Sequence, residues 1–340
     1  MLADIGVKRA LKRGALVAAA NWQVTAIQFL ADTTFKMLLG VPIIGGVLLV
    51  VLVLGRELPE VLTGEVRESV TFVATALSAE PRALVAFVFA VAIVGLAGSA
   101  FMFLVKGGTV AVLARGEQQA VAVEDPPLHF EPFWTAACFS LERFRRGCGT
   151  FVRRYLRLGL ILIAIYIVSG SAYLALLVGG QGGLAGGRFS VTLLAAFGST
   201  VLVIWITLVN FFYLLIQMVI VVHDCSVRSA VPRVIGFLRA EPAVVFSVFG
   251  VVLLLVSGAT IVSILATASL GVIAFVPVAG LAVVPLQLLA WLFRGLIFQY
   301  FGLGALCSYL ALYRRFLAPG AEPARLGTAG AAAGRRMTSP

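Results

Sequence analysis

Six long runs of apolar side chains, almost free of charge, constrain what this chain can fold into. They fall at residues 28–54, 83–105, 158–178, 190–222, 243–270 and 288–313. A helix needs about 20 mostly apolar residues to cross the roughly 30 Å hydrocarbon layer of a bilayer, because each residue adds about 1.5 Å. The runs therefore predict an all-α polytopic membrane bundle of about six transmembrane helices. The fourth run exceeds one perpendicular crossing, so we expect it to tilt or to project from the membrane.

The composition excludes the other broad classes of protein. Hydrophobic residues make up 61% of the 340 residues and charged residues 12%, whereas soluble domains have about 45–50% and 25%. So few charges cannot cover a soluble surface of this size, which argues against a water-soluble enzyme, a disordered chain and a disulfide scaffold. We expect the chain to be an integral membrane protein.

The basic residues predict the orientation of the spans. Of the 26 Lys and Arg residues, 20 fall in the segments 1–13, 106–157, 223–241 and 314–340, and four fall in the loops 55–82 and 179–189. Cytoplasmic segments of membrane proteins are rich in Lys and Arg. We therefore expect a multi-pass protein of the inner or plasma membrane with both its N-terminus and its C-terminus in the cytoplasm. The net charge of +11 then serves orientation and contact with anionic lipid, and we expect no nucleic-acid binding.

Three segments depart from this simple pattern. We expect residues 7–13 to begin an amphipathic basic helix at the membrane surface rather than a cleaved signal peptide. Residues 14–35 are semi-apolar, so an extra span there stays open. Residues 271–287 contain two Gly and two Pro residues, which predicts a re-entrant segment or a tucked outer loop instead of a straight helix.

The chain is expected to form one membrane domain over residues 1–316 and a disordered tail over residues 317–340, which are rich in Ala, Gly and Pro. A short basic stretch precedes an apolar pair of spans three times. The pattern suggests three helix-hairpin units at about 7–105, 131–222 and 226–315. Any alternating topology looks partly repetitive, so an accidental repeat stays open.

Two basic segments are typical of helices that lie at a membrane surface. Apolar residues recur at steps of three or four from Phe133 to Tyr155, and Gly147 and Gly149 predict a kink in that helix. A second apolar stripe runs over residues 227–238.

Arginines lie mostly off both apolar stripes, and they are our candidates for contact with lipid phosphates in the anionic cytoplasmic leaflet. They are Arg143, Arg145, Arg146, Arg153, Arg154, Arg157, Arg228, Arg233 and Arg239. The alternative is that these helices pack on the protein's own cytoplasmic face and that their arginines only enforce topology.

Polar residues at membrane depth are expensive, so each one suggests a functional role. Asn21, Thr25, Gln28 and Asp32 share one helical face, and Lys36 stands four residues beyond Asp32, where it can pair with it. Either this face is wetted at the interface, or it is a polar seam that faces the bundle interior.

The fourth and sixth spans also carry polar side chains. Asn210 and Gln217 share a stripe with two threonines, which interhelical hydrogen bonds explain. Arg294 either snorkels to the outer interface or pairs with Asp32. The intramembrane polar candidates are therefore Gln28, Asp32, Asn210, Gln217 and Arg294.

No catalytic, metal or cofactor motif is present in the sequence. It has no Walker loop, HExxH, GxSxG or pair of intramembrane carboxylates. The four cysteines and two histidines are too scattered to provide metal-ligand spacing. His223-Asp224 has no nucleophile beside it, so we interpret it as an interfacial helix cap, with Ser226 as the other capping candidate. We expect neither an enzyme nor a bound cofactor.

One stretch resembles a motif in uncharacterised bacterial multi-span proteins. It reads Val221-Val222-His223-Asp224, then Ser226-Val227-Arg228-Ser229-Ala230, then Arg233 and Phe237-Leu238-Arg239 before an apolar span. These proteins are similar to the membrane domain attached to some glycerophosphodiester phosphodiesterases. The three hairpins and the ending Tyr313-Arg314-Arg315 fit the same pattern. The resemblance implies a helical membrane domain, and no catalytic residue can be carried over from it.

Two functions remain in competition. The first is a membrane scaffold or accessory protein that contacts anionic lipid or envelope partners, including a second copy of itself. The second is a transporter whose path is lined by Asp32, Asn210, Gln217 and Arg294. A transporter should place those four side chains around one cavity at the membrane midplane, and a scaffold should not.

Overall fold

The computed structural model describes residues 2–54, 81–120, 123–124, 130–183, 188–274 and 277–318. Within these ranges the chain is helical apart from short connections, and it contains no β-strand. The predicted all-α fold is therefore confirmed. The helices of the described ranges are α1 (Leu2–Ala20), α2 (Trp22–Leu54), α3 (Pro81–Gln119), α4 (Phe130–Ala136), α5 (Leu141–Gly183), α6 (Arg188–His223), α7 (Val227–Ala240), α8 (Pro242–Ala274) and α9 (Pro277–Leu317).

Six helices in the described part of the chain are long and apolar enough to cross a membrane, so this is a multi-pass membrane protein. The candidate spans are Trp22–Leu48, Leu84–Gln119, Leu141–Leu177, Leu193–His223, Pro242–Ile273 and Pro285–Leu317, and each overlaps one predicted run. Several helices extend past the predicted runs. With its 43 residues, α5 is about 65 Å long at a rise of 1.5 Å per residue, so its basic N-terminal part projects beyond the hydrocarbon layer.

The N-terminal helix α1 is a packed part of the bundle and is not among the candidate spans. It lies against the C-terminal half of α9, and Gly14 permits the contact, because a Cβ there would lie 2.6 Å from the carbonyl oxygen of Gly304. A break at Asn21 separates α1 from α2. Residues 14–35 therefore form the end of one helix and the start of the next, rather than an extra span.

The basic segment before the third span differs from its prediction. The stripe from Phe133 to Tyr155 is not one helix, because α4 ends at Ala136 and α5 begins at Leu141. Phe144, Phe151 and Tyr155 are buried where α5 packs on α3, so this part of the stripe faces protein instead of lipid.

The predicted kink at Gly147 and Gly149 does not interrupt α5. Gly147 serves close packing instead, since a Cβ there would lie 2.8 Å from the Cβ of Ala111 on α3. Gly149 faces open space.

Residues 271–287 are helical wherever they are described, so the predicted irregular segment is wrong for those residues. Helix α8 continues to Ala274, and α9 begins at Pro277. Proline is favoured at the first position of a helix, where its missing N–H has no intrahelical partner to lose. Pro285 lies inside α9, which continues through it. Spanning helices tolerate such a proline where neighbouring groups satisfy the freed carbonyl.

In the part of the chain that is described, the helices follow a short, long, long order three times: α1 to α3, α4 to α6 and α7 to α9. The three helix-hairpin units stay a prediction, and the second basic stretch belongs to the long helix α5 rather than to a short one. Residues 319–340, where a disordered tail is predicted, lie outside the described residues.

The hydrophobic core lies at one end of the bundle. We call this the basic end, and it comprises α1, α4, α7 and the adjoining parts of α3, α5, α6 and α9. Tyr155, Phe237, Tyr309 and Tyr313 are almost fully buried there. Toward the opposite end, large apolar side chains such as Leu254 (73% exposed) face outward, as expected for lipid-facing surface.

Candidate functional site

A buried carboxylate organises the basic end. Glu117 lies near the C-terminus of α3, and its side chain is 4% exposed. Arg13 on α1 donates from Nε to Glu117 Oε1 at 3.1 Å. On the other side, Arg314 Nε of α9 lies 2.8 Å from Glu117 Oε2 as an ion contact that is not directed as a hydrogen bond. One carboxylate thus holds two guanidinium groups from the first and last helices.

Further contacts extend this ion network. Arg13 also donates to the Glu117 carbonyl at 3.1 Å and to Glu124 Oε2 at 3.0 Å. Lys12 donates to the Glu124 carbonyl at 2.7 Å, and Arg314 donates to the Ala114 carbonyl at 2.6 Å. The network therefore joins α1, α3 and α9 through side chains far apart in the sequence. Because its charges are paired, the network holds these three helices in place.

An open cavity of about 530 Å³ lies beside this network. Its charged lining residues are Arg9, Arg13, Glu117, Glu124, Arg314 and Arg315. The lining thus contains two carboxylates and four guanidinium groups, so the cavity carries an excess of positive charge.

Asn21 connects the break between α1 and α2 to the chain around α4. Its Nδ2 donates to the carbonyl of Val17 at 3.0 Å and to that of Ala136 at 2.8 Å, and its Oδ1 accepts from the Cys138 N–H at 2.9 Å. Asn21 is fully buried, so these bonds satisfy a side chain that water does not reach. Burial also raises the pKa of the Cys138 thiol, although the positive charges of Arg143 and Arg115 act in the opposite direction.

The turn between α6 and α7 is tied to two other helices. His223 Nε2 lies 2.8 Å from the Tyr313 hydroxyl of α9. Asp224 adopts a positive φ of 47° and forms an ion pair with Arg154 of α5. Ser226 is the residue that caps α7, accepting from the Ser229 N–H. The predicted capping role therefore belongs to Ser226, and His223 and Asp224 connect helices.

The nine arginine candidates surround this packed end. Eight of them are exposed and Arg154 is half-buried. Three have protein partners: Arg143 donates to the Cys138 carbonyl, Arg146 pairs with Glu142, and Arg154 pairs with Asp224. The others form no hydrogen bond or ion pair within the described ranges: Arg145, Arg153, Arg157, Arg228, Arg233 and Arg239.

The polar face of α2 is a seam that points into the bundle at its start. Asn21, Thr25 and Gln28 are buried, and Gln28 Oε1 accepts from the Thr109 hydroxyl of α3 at 3.0 Å. Farther along, Asp32 is half-buried. Its Oδ2 accepts from Lys36 at 2.6 Å, as the spacing predicts.

The other polar candidates are not brought together at one place. Asn210 accepts from the Tyr166 hydroxyl of α5 at 2.6 Å. Gln217 is buried, and its backbone carbonyl accepts from the Tyr155 hydroxyl at 3.1 Å. Arg294 lies with its guanidinium 5.7 Å from the Phe298 ring centre and forms no ion pair with Asp32. Asp32 and Arg294 nevertheless line one cavity of about 430 Å³, whose lining does not include Asn210 or Gln217.

Sequence reasoning missed the most connected group of the basic end. Glu117 stands just beyond the apolar run 83–105 and two positions after Arg115, which was the available signal. Its partner Arg13 stands 104 positions away. Its other partner, Arg314, also bonds to Ala114 of the same helix as Glu117, 200 positions away. Residue spacing therefore could not identify either partner.

The comparisons with known proteins add no family. No family model matches the chain, and no curated protein and no solved structure matches it at a significant level. The similarity to the membrane domain of glycerophosphodiester phosphodiesterases stays a prediction. The functional conclusion therefore depends on the geometry of the chain itself.

Proposed function

We propose that this chain is a non-enzymatic multi-pass protein of the bacterial inner membrane, and that its basic end is a rigid platform on the anionic cytoplasmic leaflet. The observation that carries the proposal is the separation of charges at that end. The buried carboxylate of Glu117 forms ion pairs with Arg13 and Arg314. Six exposed arginines of α5 and α7 have no hydrogen-bonding or ionic partner in the described protein, and lipid phosphates are the partners that suit them.

Two further features support a surface that rests on lipid. The arginines stand on helices whose other faces are buried, since Phe151 on α5 and Phe237 on α7 belong to the core. Trp134 and Leu141 of the same end are 68% and 72% exposed. Tryptophan is enriched at membrane–water interfaces, where it anchors a protein at headgroup level. An amphipathic surface above a fixed core suits a scaffold that docks an envelope partner or a second copy of this chain.

The proposed orientation has both termini in the cytoplasm. Contact between α1 and the C-terminal half of α9 brings the described N- and C-terminal helices to the same end, and an even number of spans requires this. Most Lys and Arg residues belong to that side. A reporter fused after Arg315 should therefore be active in the cytoplasm, and one inserted near Glu65 should be active outside. The reverse pair of results would refute the orientation.

The lipid-facing role is testable by thermal unfolding of the purified chain in a neutral detergent. At low salt, added phosphatidylglycerol should raise Tm more than added phosphatidylcholine, because each arginine near an anionic surface contributes about 1 kcal/mol. The excess should disappear at high salt. Replacing all six unpaired arginines by Gln should remove most of it.

A matched comparison isolates the basic end. The single variants Arg153→Gln and Arg233→Gln should each lose part of the preference for phosphatidylglycerol. Arg82→Gln should lose none, because this exposed residue stands at the opposite end of α3. Equal preference in the wild type and the sixfold variant would refute the proposal.

The transporter is the second proposal, and one observation favours it: Asp32 and Arg294 line a common cavity at membrane depth. Asn210 and Gln217 are outside that lining, and the Asn210 side chain is engaged by Tyr166 of α5. The path would thus involve two of the four expected side chains, which is why we place the scaffold first. Uptake of a solute into proteoliposomes that Asp32→Asn abolishes would reverse this order.

A further inference from the structure

Two cavities meet at Arg294, midway along α9. The first, of about 430 Å³, lies between α2 and α9 and is lined by polar groups that include Asp32, Thr33, Lys36 and Gln299. The second, of about 540 Å³, lies between α8 and α9 and is mostly apolar, with Val262, Leu270, Phe293 and Ile297 in its lining. Trp291, Arg294 and Phe298 line both cavities. A polar compartment and an apolar compartment are thus joined at one guanidinium group.

Arg294 stands at a depth where a cation requires compensation. Arg294 lies inside the candidate span of α9, Pro285–Leu317, and 17 positions after the start of α9 at Pro277. At about 1.5 Å per residue it stands about 25 Å along the helix, a position within the apolar span. Charged side chains at such depth are costly unless they are paired or face a cavity.

The protein does not neutralise this cation in the part of the chain that is described. The nearest carboxylate of the polar cavity, Asp32, is already paired with Lys36 at 2.6 Å. Arg294 has only the Phe298 ring, 5.7 Å away, as a partner. Two cations and one carboxylate line the polar cavity, so it carries one positive charge in excess. An anion supplied from outside the protein would balance it.

We propose that this joint cavity binds a single-chain amphiphile with a carboxylate or phosphate head group. The head group would pair with the guanidinium of Arg294, whose planar donors suit both anions in a bidentate arrangement. The hydrocarbon chain would occupy the apolar groove between α8 and α9. Both compartments have volumes typical of ligand pockets, which are about 300–1,000 Å³. A free inorganic anion would leave the apolar compartment without a role.

This site is independent of the lipid-facing role proposed for the basic end. It uses none of the six unpaired arginines of α5 and α7, and it lies within the spanning part of α9. Failure of either proposal therefore leaves the other standing.

Trp291 provides a reporter inside the site. All four tryptophans are exposed, Trp291 by 40%, and replacing Trp22, Trp134 and Trp205 by Phe leaves Trp291 as the single fluorophore. The full chain would be placed in phosphatidylcholine nanodiscs at alkaline pH and titrated with stearate that carries a nitroxide quencher. We expect saturable quenching by the acid, and at least tenfold weaker quenching by the methyl ester with the same label.

Variants separate the head-group and chain contributions. Arg294→Gln should weaken the response to the acid at least tenfold, and Arg294→Lys should retain more of it than Arg294→Gln, because the charge remains. Ala266→Phe should fill the apolar groove and weaken quenching while Arg294 is kept. The matched control is Ala86→Phe, at an exposed position of α3 away from both cavities, and it should leave quenching unchanged.

Three results would overturn the proposal. The first is equal quenching by the acid and the ester. The second is an unchanged response in both Arg294→Gln and Ala266→Phe, of which the second keeps every charged group in place. The third is displacement of the labelled acid by millimolar inorganic phosphate alone, which would identify a free-anion site instead.

Discussion

Neutralising the carboxylate of Glu117 tests whether the ion network holds the basic end together. In Glu117→Gln the shape is kept and the charge is lost, so Arg13 and Arg314 face a neutral amide. Breaking a buried ion pair by removing one partner costs about 3–5 kcal/mol. The side chains of Arg13 and Arg314 are 19% and 26% exposed, and each keeps another acceptor, so we expect the lower limit, about 3 kcal/mol.

The free energy of unfolding would be measured by SDS titration in mixed micelles, followed by the helical circular dichroism signal. Glu142→Gln is the matched control, since the Glu142–Arg146 pair is about three-quarters exposed on both sides (75% and 74%). Exposed helical pairs contribute about 0.3–0.5 kcal/mol. A double-mutant cycle of Glu117→Gln with Arg13→Gln should give a coupling of about 1–3 kcal/mol. If Glu117→Gln destabilises the protein no more than Glu142→Gln, the network does not stabilise the basic end.

Three further outcomes follow from local geometry. Gly108→Val should destabilise the α3–α5 contact by about 1–3 kcal/mol through overpacking, because a Cβ there would lie 2.8 Å from a backbone oxygen of α5. Its control, Gly95→Ala, meets open space and should stabilise α3 by up to about 1 kcal/mol. A higher unfolding free energy for Gly108→Val than for Gly95→Ala in SDS would contradict this. Asn21→Ala leaves a buried carbonyl and a buried N–H without their partner and should cost about 1–3 kcal/mol in the same assay; no change would refute its connecting role. Burial raises the pKa of the Cys138 thiol and limits access to it, so Cys138 should react with a maleimide more slowly than the half-buried Cys225. The reaction rate of Cys138 should keep rising above pH 9.0, the ordinary thiol value. A rate that levels off below that pH would contradict the raised pKa.

The six spans were predictable because hydrocarbon imposes one rule along the whole chain. Any stretch that crosses it must be long, apolar and helical, and runs such as 243–270 satisfy that rule by themselves. The pairing of Asp32 with Lys36 was predictable for the same local reason, since four residues on a helix bring two side chains together. The cap of α7 by Ser226 was one of two local candidates, and the turn geometry selected it.

The errors in prediction came from contacts between distant segments. The stripe over Phe144 to Tyr155 has the pattern of a lipid-facing helix, but the pattern does not say whether lipid or another helix covers it. Glycines on α3 and α5 allow those helices to approach closely, so α3 covers the stripe. Likewise, Pro277 and Pro285 suggest irregular chain, yet one begins α9 and the other lies within it.

Sequence alone determined that this chain is helical, that it has six apolar spans and that its Lys and Arg residues cluster next to alternate ends of those spans. Each property depends only on whether a residue is placed in hydrocarbon or in water. Tertiary structure decided which charges are paired and which are left over. Glu117 forms ion pairs with both Arg13 and Arg314. Asp32 pairs with Lys36 rather than with Arg294, which lines a cavity. Such choices depend on distances between helices remote in sequence, and only the packed bundle sets those distances.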